Sequence, residues 1–216
     1  MSSNIKYLFL FLGFSLFSNI GMAQDDLFKL WPDSTLAYAN SAKSVAYMNA
    51  EEKEAIYYMN LVRINPKLFS ETFLLDYLKA HDIKRDKEVR GLIQELESTD
   101  GMGILQPNEQ LTSFARQHAK DMGESGRTGH NSSSGTAFRN RIEPLEVKFA
   151  AINENCNYGN EKGADAVIDL LIDRDVPNLG HRRNILDAEM ELVGVAIEAH
   201  RRWRFNCVQD FGTKKK

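Results

Sequence analysis

The sequence lacks the features of several common classes of protein. Its 216 residues include two cysteines, too few for a zinc site built from thiolates. Neither an HExxH nor a GxSxG motif occurs, which excludes a zincin helix and the nucleophile elbow of an α/β-hydrolase. The formal net charge of −3 gives no basic field of the kind that binds nucleic acid.

Long apolar runs are confined to the N-terminus. Residues 7–20 are almost continuously apolar, Lys6 precedes them, and the small residues Gly21 and Ala23 follow. This pattern predicts a signal peptide over residues 1–23, cleaved after Ala23, with a retained N-terminal anchor as the alternative. No later stretch is long enough to span a membrane. We therefore expect a secreted or periplasmic protein.

The remaining chain has the composition of one globular domain, with 43% hydrophobic and 26% charged residues. We expect an N-terminal extension over residues 24–49 and a main domain over residues 50–213. A charged insertion is predicted at about 75–105, and residues 214–216 form a basic tail.

Helical periodicity predicts a helix in each of four segments, and alternation predicts two closing strands joined by a hairpin. The helices lie within residues 49–66, 86–98, 108–126 and 164–175, and the strands within 191–199 and 203–211. Because helices precede strands, the fold class is α+β, with helices packed on a small, largely antiparallel sheet.

Two histidines and two acids stand in loops or at the ends of elements, where functional groups concentrate. His130 follows one predicted helix, Glu154 lies in NENCNYG, and Asp173 ends another helix, eight residues before His181. Imidazole and carboxylate groups suit zinc or another divalent ion. The same groups can also form a hydrogen-bonded polar network without a metal, and the residues alone leave both interpretations open.

Other polar residues have simpler interpretations. His118 lies on the apolar face of its helix, which indicates a hydrogen-bonded core histidine. His81 and His200 have polar neighbours and are expected at the surface. Asp165 and Asp169 are expected to form a solvated acidic stripe.

The two cysteines, Cys156 and Cys207, are flanked by residues typical of strands. In an exported protein they can form a disulfide that closes a loop of about fifty residues, worth about 3–4 kcal/mol. The alternative is two buried free thiols.

Seven motifs occur in one order along the chain. They read MNLVRINP, ILQPNEQLTSFARQHAKDM, GHN, FRNRIEP, NENCNYG, GHRRNIL, and the closing pair LVGVAIE with WRFNCVQDFG. In this order they resemble the CAP superfamily, which comprises the cysteine-rich secretory proteins, antigen 5 and the pathogenesis-related 1 proteins. The resemblance covers residues 50–212 and is strongest to bacterial members.

The resemblance implies a three-layer α-β-α sandwich with a large cleft. His130 and His181 match the two cleft histidines, which in related proteins hold a divalent metal, often zinc. Glu154 matches one cleft acid, and Asp173 stands where the family has a glutamate, with a side chain one methylene shorter. The resemblance also implies a disulfide between Cys156 and Cys207 that ties the Glu154 strand to the last strand.

Three functions are compatible with the resemblance and with the chemistry of these residues. The first is a secreted protein whose cleft binds an extended ligand, either a peptide, a glycan or a lipid. The second is a metal-assisted hydrolase that uses Glu154 as general base, and the third is an interaction protein with a purely structural polar network. Whether the protein is an enzyme stays open. We expect a monomer with an extracellular or periplasmic ligand and no nucleic acid partner.

Overall fold

The computed structural model describes residues 29–215, so the predicted signal peptide lies outside the described residues. The helices are α1 (Asp33–Ala39), α2 (Ala50–Ile64), α3 (Pro66–Phe69), α4 (Leu75–Ala80), α5 (Lys87–Ser98), α6 (Glu109–Ser125), α7 (Phe138–Ile142), α8 (Gly163–Ile172) and α9 (Gly180–Ile185). A π-helical turn, Ser70–Leu74, joins α3 to α4. The strands are β1 (Gln106–Pro107), β2 (Phe149–Tyr158), β3 (Leu192–His200) and β4 (Arg204–Lys214).

The four strands form one sheet in the order β1-β3-β4-β2. β3 and β2 both pair antiparallel to β4, and only the two-residue β1 pairs parallel. The expected α+β class with a small, largely antiparallel sheet is therefore confirmed. Among residues 29–215, no helix combines the length and the apolar character needed to cross a bilayer.

Side-chain caps fix the starts of the two longest helices. Asn49 forms a capping box with Glu52 at the start of α2, and Asn108 accepts the backbone N–H of Leu111 at the start of α6. At the other end of α6, Gly126 adopts a φ of +68°, which glycine reaches without steric cost. The predicted helix ends are thus set by local chemistry.

Helices cover both faces of the sheet. α6 lies so close to one face that a Cβ at Gly194 would sit 2.1 Å from the backbone nitrogen of Thr112, so only glycine permits this approach. Ala115 and Ala119 of α6 pack there against Ala196 of β3. The opposite face packs against α2 and α8 in the largest core cluster. These layers form the three-layer sandwich.

The expected disulfide is wrong. Cys156 and Cys207 are both free and buried. In the β2–β4 register, Cys207 lies opposite Asn157 and Cys156 lies opposite Val208. Adjacent residues of a strand point to opposite faces, so one thiol packs under α6 and the other lies in the main core.

The N-terminal extension and the charged insertion both contribute to the main core. Trp31 is buried, and its indole N–H donates to Thr72 Oγ1 at 3.2 Å. The one helix predicted in the insertion is present as α5, which buries Val89, Leu92 and Leu96. α4 is an additional helix that the charged composition of this segment did not reveal.

His200 is buried, so the expectation that it lies at the surface is wrong. Its Nε2 lies 2.8 Å from the carbonyl of Arg127, and its Nδ1 accepts the backbone N–H groups of Arg202 and Trp203 at 3.2 Å. The imidazole therefore accepts hydrogen bonds from backbone N–H groups of the turn between β3 and β4. The polar residues next to it in the sequence are the ones exposed to solvent.

Arg63 joins distant parts of the chain beneath the sheet. Its guanidinium is fully buried and donates to four main-chain carbonyls, those of Gly103, Ile185, Asp187 and Met190, at 2.7–2.9 Å. Desolvation lowers the pKa of Arg63 to about 10, so it stays protonated at neutral pH. Arg63 thus fixes the segment that follows α9.

We expect Arg63→Met to lower the free energy of unfolding by at least about 3 kcal/mol, because it leaves several buried carbonyls without donors. Arg183→Met, at an exposed position, is the control and should change stability by at most about 0.5 kcal/mol. Chemical denaturation of both variants measures the difference. Equal stabilities would contradict the role of Arg63.

Candidate functional site

A cavity lies along the outer edge of β2, where this strand has no neighbour among the described residues. Its volume is ≈ 480 Å³. The lining residues come from β2, from the loop after α6 on one side, and from α8, α9 and the loop between them on the other: Thr128, Gly129, His130, Cys156, Asn157, Tyr158, Asp169, Leu170, Asp173, Arg174, Val176, His181 and, from the β3–β4 turn, Trp203. The cavity therefore opens between the two helical layers.

His130 is held by the carboxylate of Glu154. His130 Nδ1 lies 3.0 Å from Glu154 Oε1, and the imidazole is half exposed whereas the Glu154 side chain is buried. An ionised carboxylate only accepts hydrogen bonds, so Nδ1 carries the proton. The lone pair of the neutral ring is then on Nε2, which has no protein partner among residues 29–215.

Arg141 secures the other oxygen of Glu154. Both of its terminal nitrogens reach Oε2, at 3.2 and 2.5 Å, and its Nε donates to the carbonyl of His130 at 3.2 Å. Glu154 is thus ion-paired and hydrogen-bonded through both oxygens. The arrangement fixes the histidine ring and neutralises the buried charge.

His181 is held in the same way by Asp173. Its Nδ1 lies 2.7 Å from Asp173 Oδ1, while Oδ2 accepts the backbone N–H groups of His181 and Arg182 at 3.0 and 3.2 Å. Asp173 has a φ of +56° at the C-terminus of α8, and this backbone conformation brings the short side chain to the start of α9. Nε2 of His181 is again without a protein partner in the described part of the chain.

The Asn155 amide connects β2 to α9. It donates to the carbonyl of His181 at 3.1 Å and to Gln209 Oε1 at 3.2 Å, and its oxygen accepts from Asn184 Nδ2 at 2.8 Å. Because Asn155 points to the α8–α9 side and Glu154 to the α6 side, consecutive residues of one strand position both histidines.

A second group of possible ligands lies deeper. His118, Glu154 and Cys156 offer ligand atoms that all lie within 4.8 Å of one another, so this buried group could hold a metal ion. Its atoms are already engaged, however: His118 Nε2 lies 2.9 Å from the carbonyl of Gly129, and Glu154 is paired with Arg141. Burial also raises the pKa of the Cys156 thiol well above its usual range, which keeps it protonated. This chemistry fits a hydrogen-bonded network better than a metal centre.

Asp210 lies directly across from Glu154 in the β2–β4 register. Its side chain is completely buried, and neither oxygen has a hydrogen-bond partner among the described residues. Burial, with the neighbouring Glu154 charge, raises the pKa of Asp210 well above its usual range. Asp210 is therefore a neutral acid at the back of the site.

The sequence-derived candidates thus fall into two pairs, His130 with Glu154 and His181 with Asp173, and both histidines and Asp173 line one cavity. His118 is a buried, hydrogen-bonded residue, as expected. Asp165 and Asp169 were expected to be solvated, but both also accept side-chain hydrogen bonds. Asp165 accepts from Tyr77 Oη, and Asp169 accepts from Asn157 Nδ2.

Sequence reasoning missed three residues of the site. The FRNRIEP motif contains Arg141, but the sequence assigned this residue no role. Asp210 and Trp203 lie within the strand predicted at 203–211, and nothing in the strand pattern marks them as site residues. The Arg141 motif was the one available signal, since a guanidinium can pair in a bidentate way with a carboxylate such as that of Glu154.

The sequence profile of the CAP family, described as the cysteine-rich secretory protein family, matches residues 56–211. The comparison with curated proteins gives no significant match.

Solved structures of similar shape include three proteins. An extracellular SCP-domain protein from Bacillus anthracis is 19% identical with a TM-score of 0.44, over 69% of this chain and 39% of that one. An outer surface protein from Borrelia burgdorferi is 19% identical with a TM-score of 0.45, over 62% and 97%. Venom allergen-like protein 4 from Schistosoma mansoni is 13% identical with a TM-score of 0.48, over 78% and 92%. Family membership rests on the sequence match over residues 56–211.

We expect Asp210→Asn to stabilise the protein at pH 7 by about 1 kcal/mol or more, which is about 2–4 °C in Tm. The folded state keeps a proton on Asp210 that the unfolded chain releases above about pH 4, so stability falls as pH rises. Near pH 3.5 both states are largely protonated, and the gain should nearly vanish.

Thermal unfolding of wild type and Asp210→Asn at pH 3.5 and pH 7 measures this difference. Asp100→Asn, at an exposed position, is the control for the loss of one carboxyl. If Asp210→Asn instead destabilises the protein at pH 7 but not at pH 3.5, Asp210 is ionised and paired in the folded state.

Proposed function

Because the chain belongs to the CAP family of cysteine-rich secretory proteins, we propose that it is a secreted binding protein. Its cleft holds a divalent metal ion through His130 and His181 and accepts an extended ligand. The observation that carries the proposal is the position of the two imidazoles. They come from opposite layers, line one cavity, and are each anchored through Nδ1 by a carboxylate.

The donor chemistry supports a divalent ion at this position. Metal-binding histidines generally donate their second ring N–H to a carboxylate or carbonyl, which fixes the tautomer and the ring orientation. His130 and His181 both have this arrangement, and Nε2 is the atom left to bind. Imidazole suits zinc, although copper, nickel and iron also accept it.

A divalent ion held by two histidines would supply a Lewis-acidic centre with open positions for a ligand carboxylate or carbonyl. The protein residues contribute orientation: Asp173 and Glu154 hold the rings, and Arg141 holds Glu154. Asn155 keeps α9 against β2. Ligand recognition would then combine this centre with the walls of the cavity.

The contacts of the Glu154 carboxylate favour a ligand-binding function over a hydrolase. A general base must reach a substrate proton or a bound water, but Glu154 is buried and both its oxygens are engaged by His130 and Arg141. The hydrolase alternative therefore has no free base at this residue. Glu154 fits a structural role in the network, which is the part of the third hypothesis that we retain.

Secretion is part of the same proposal. The predicted signal peptide precedes a CAP domain. We propose a monomer that meets its ligand outside the cytoplasm, in the periplasm or the extracellular space.

We expect the metal-free protein to bind one zinc ion, and His130→Ala or His181→Ala to weaken binding by about 100-fold or more, since each removes a direct ligand. Isothermal calorimetry measures the dissociation constants. His81→Ala, which removes an exposed histidine away from the cavity, should leave affinity unchanged. Indistinguishable isotherms for wild type and His130→Ala would refute the metal site.

We expect Asp173→Asn to weaken zinc binding by about 10–100-fold. The asparagine oxygen can still accept the backbone N–H groups of His181 and Arg182, but its amide would donate to His181 Nδ1. That contact moves the ring proton to Nε2 and removes the lone pair that binds metal. Calorimetry with melting temperatures separates this effect from unfolding, and an unchanged affinity would show that the His181 tautomer does not matter.

A further inference from the structure

The direction of the peptide groups of β2 follows from two hydrogen bonds. The backbone N–H of Gly159 donates to the carbonyl of Phe205 on β4 at 2.9 Å. Peptide groups alternate along an antiparallel strand, so Asn157 and Asn155 also face β4, whereas Cys156 and Tyr158 face outward. Asn184 Nδ2, which donates to the carbonyl of Glu154 at 3.4 Å from outside the sheet, agrees with this alternation.

The outward peptide groups are unpaired beside the two histidines. By this alternation the N–H and C=O groups of Cys156 and Tyr158 lie outside the β2–β4 ladder, no other described segment bonds them, and both residues line the cavity. At the Glu154 end the edge is closed by Asn184. The open edge therefore offers two donors and two acceptors in the wall of the cleft.

We propose that the cleft binds its ligand by strand addition: an extended peptide segment pairs with the outer edge of β2 at Cys156 and Tyr158. The inference rests on the proposed function for the cavity and names the class of ligand that the cavity takes. Because Cys156 and Tyr158 are two positions apart in the strand, their outward N–H and C=O groups repeat at an interval of about 6.6–6.8 Å. A peptide backbone repeats its N–H and C=O groups at the same interval, whereas neither a glycan nor an acyl chain does.

The outer edge of β2 lies between two walls, which explains why it would accept a single peptide segment rather than another sheet. Exposed edge strands invite sheet-to-sheet association, and proteins usually protect them with covering loops or charges. Here the loop carrying His130 lies on one side of the edge, and α8 and α9 lie on the other. A single extended segment between these walls would pair with the edge without bringing a second sheet against it.

The alternation of a bound strand also divides its side chains between the two walls. One set would face the α6 side with His130, and the other would face Asp169, Asp173 and His181. A peptide carbonyl or terminal carboxylate between the histidines would then lie next to the metal position. Main-chain pairing supplies affinity, and the two walls supply selectivity.

The test uses linear heptapeptides selected from a displayed random library on the full mature protein, with zinc and with EDTA. The best peptide is then made in two series, N-methylated at its even or at its odd positions. Strand addition predicts that one series loses about tenfold or more in affinity, as expected for a lost backbone hydrogen bond, and that the other changes by at most about twofold. Equal losses in both series, or no binding peptide at all, would overturn the proposal.

Amide hydrogen exchange provides the readout on the protein. Peptide binding should slow exchange at Cys156 and Tyr158 and leave Asn155 and Asn157, which already face β4, unchanged. Protection of all four or of none overturns strand addition.

Zinc calorimetry on the same preparation separates this inference from the metal proposal. Peptide binding with this alternating pattern in EDTA supports strand addition even if zinc does not bind. Zinc binding without peptide binding refutes strand addition and leaves the metal site intact.

Discussion

The buried guanidinium of Arg63 is the contact on which the rest of the structure depends. It links α2 to the backbone of Gly103 and to the three carbonyls of Ile185, Asp187 and Met190. These groups come from segments about forty and about one hundred and twenty residues away, and no local structure satisfies them. Because Ile185 ends α9, the same contact fixes the helix that begins beside His181.

The cleft applies the same principle with carboxylates. Glu154 and Asp173 are both buried, and each orients one imidazole while satisfying other donors. A buried charge is tolerated only when its oxygens are paired, and Arg141 and the start of α9 provide the partners. Protein contacts alone therefore orient both rings, and the acids serve to position the histidines.

Much of the fold was accessible from the sequence because its signals are local. The caps at Asn49 and Asn108 and the periodicity of α6 depend on residues within a few turns of each other. The order of motifs also brought His130, Glu154, His181 and Asp173 together as candidates. The partner of Arg141, the burial of His200 and the isolation of Asp210 depend on contacts between segments far apart in the chain, which no local pattern encodes.

The sequence by itself determined where the four longest helices lie, the alternation of the last two strands and the supply of imidazole and carboxylate groups. Only the tertiary structure decided which of these groups meet. The register of β2 against β4 places Cys156 and Cys207 on opposite faces, Glu154 opposite Asp210, and the peptide groups of Cys156 and Tyr158 at the open edge. A strand repeats every two residues, so a shift of one position would reverse all of these assignments, and the packing of the two helical layers selects the register.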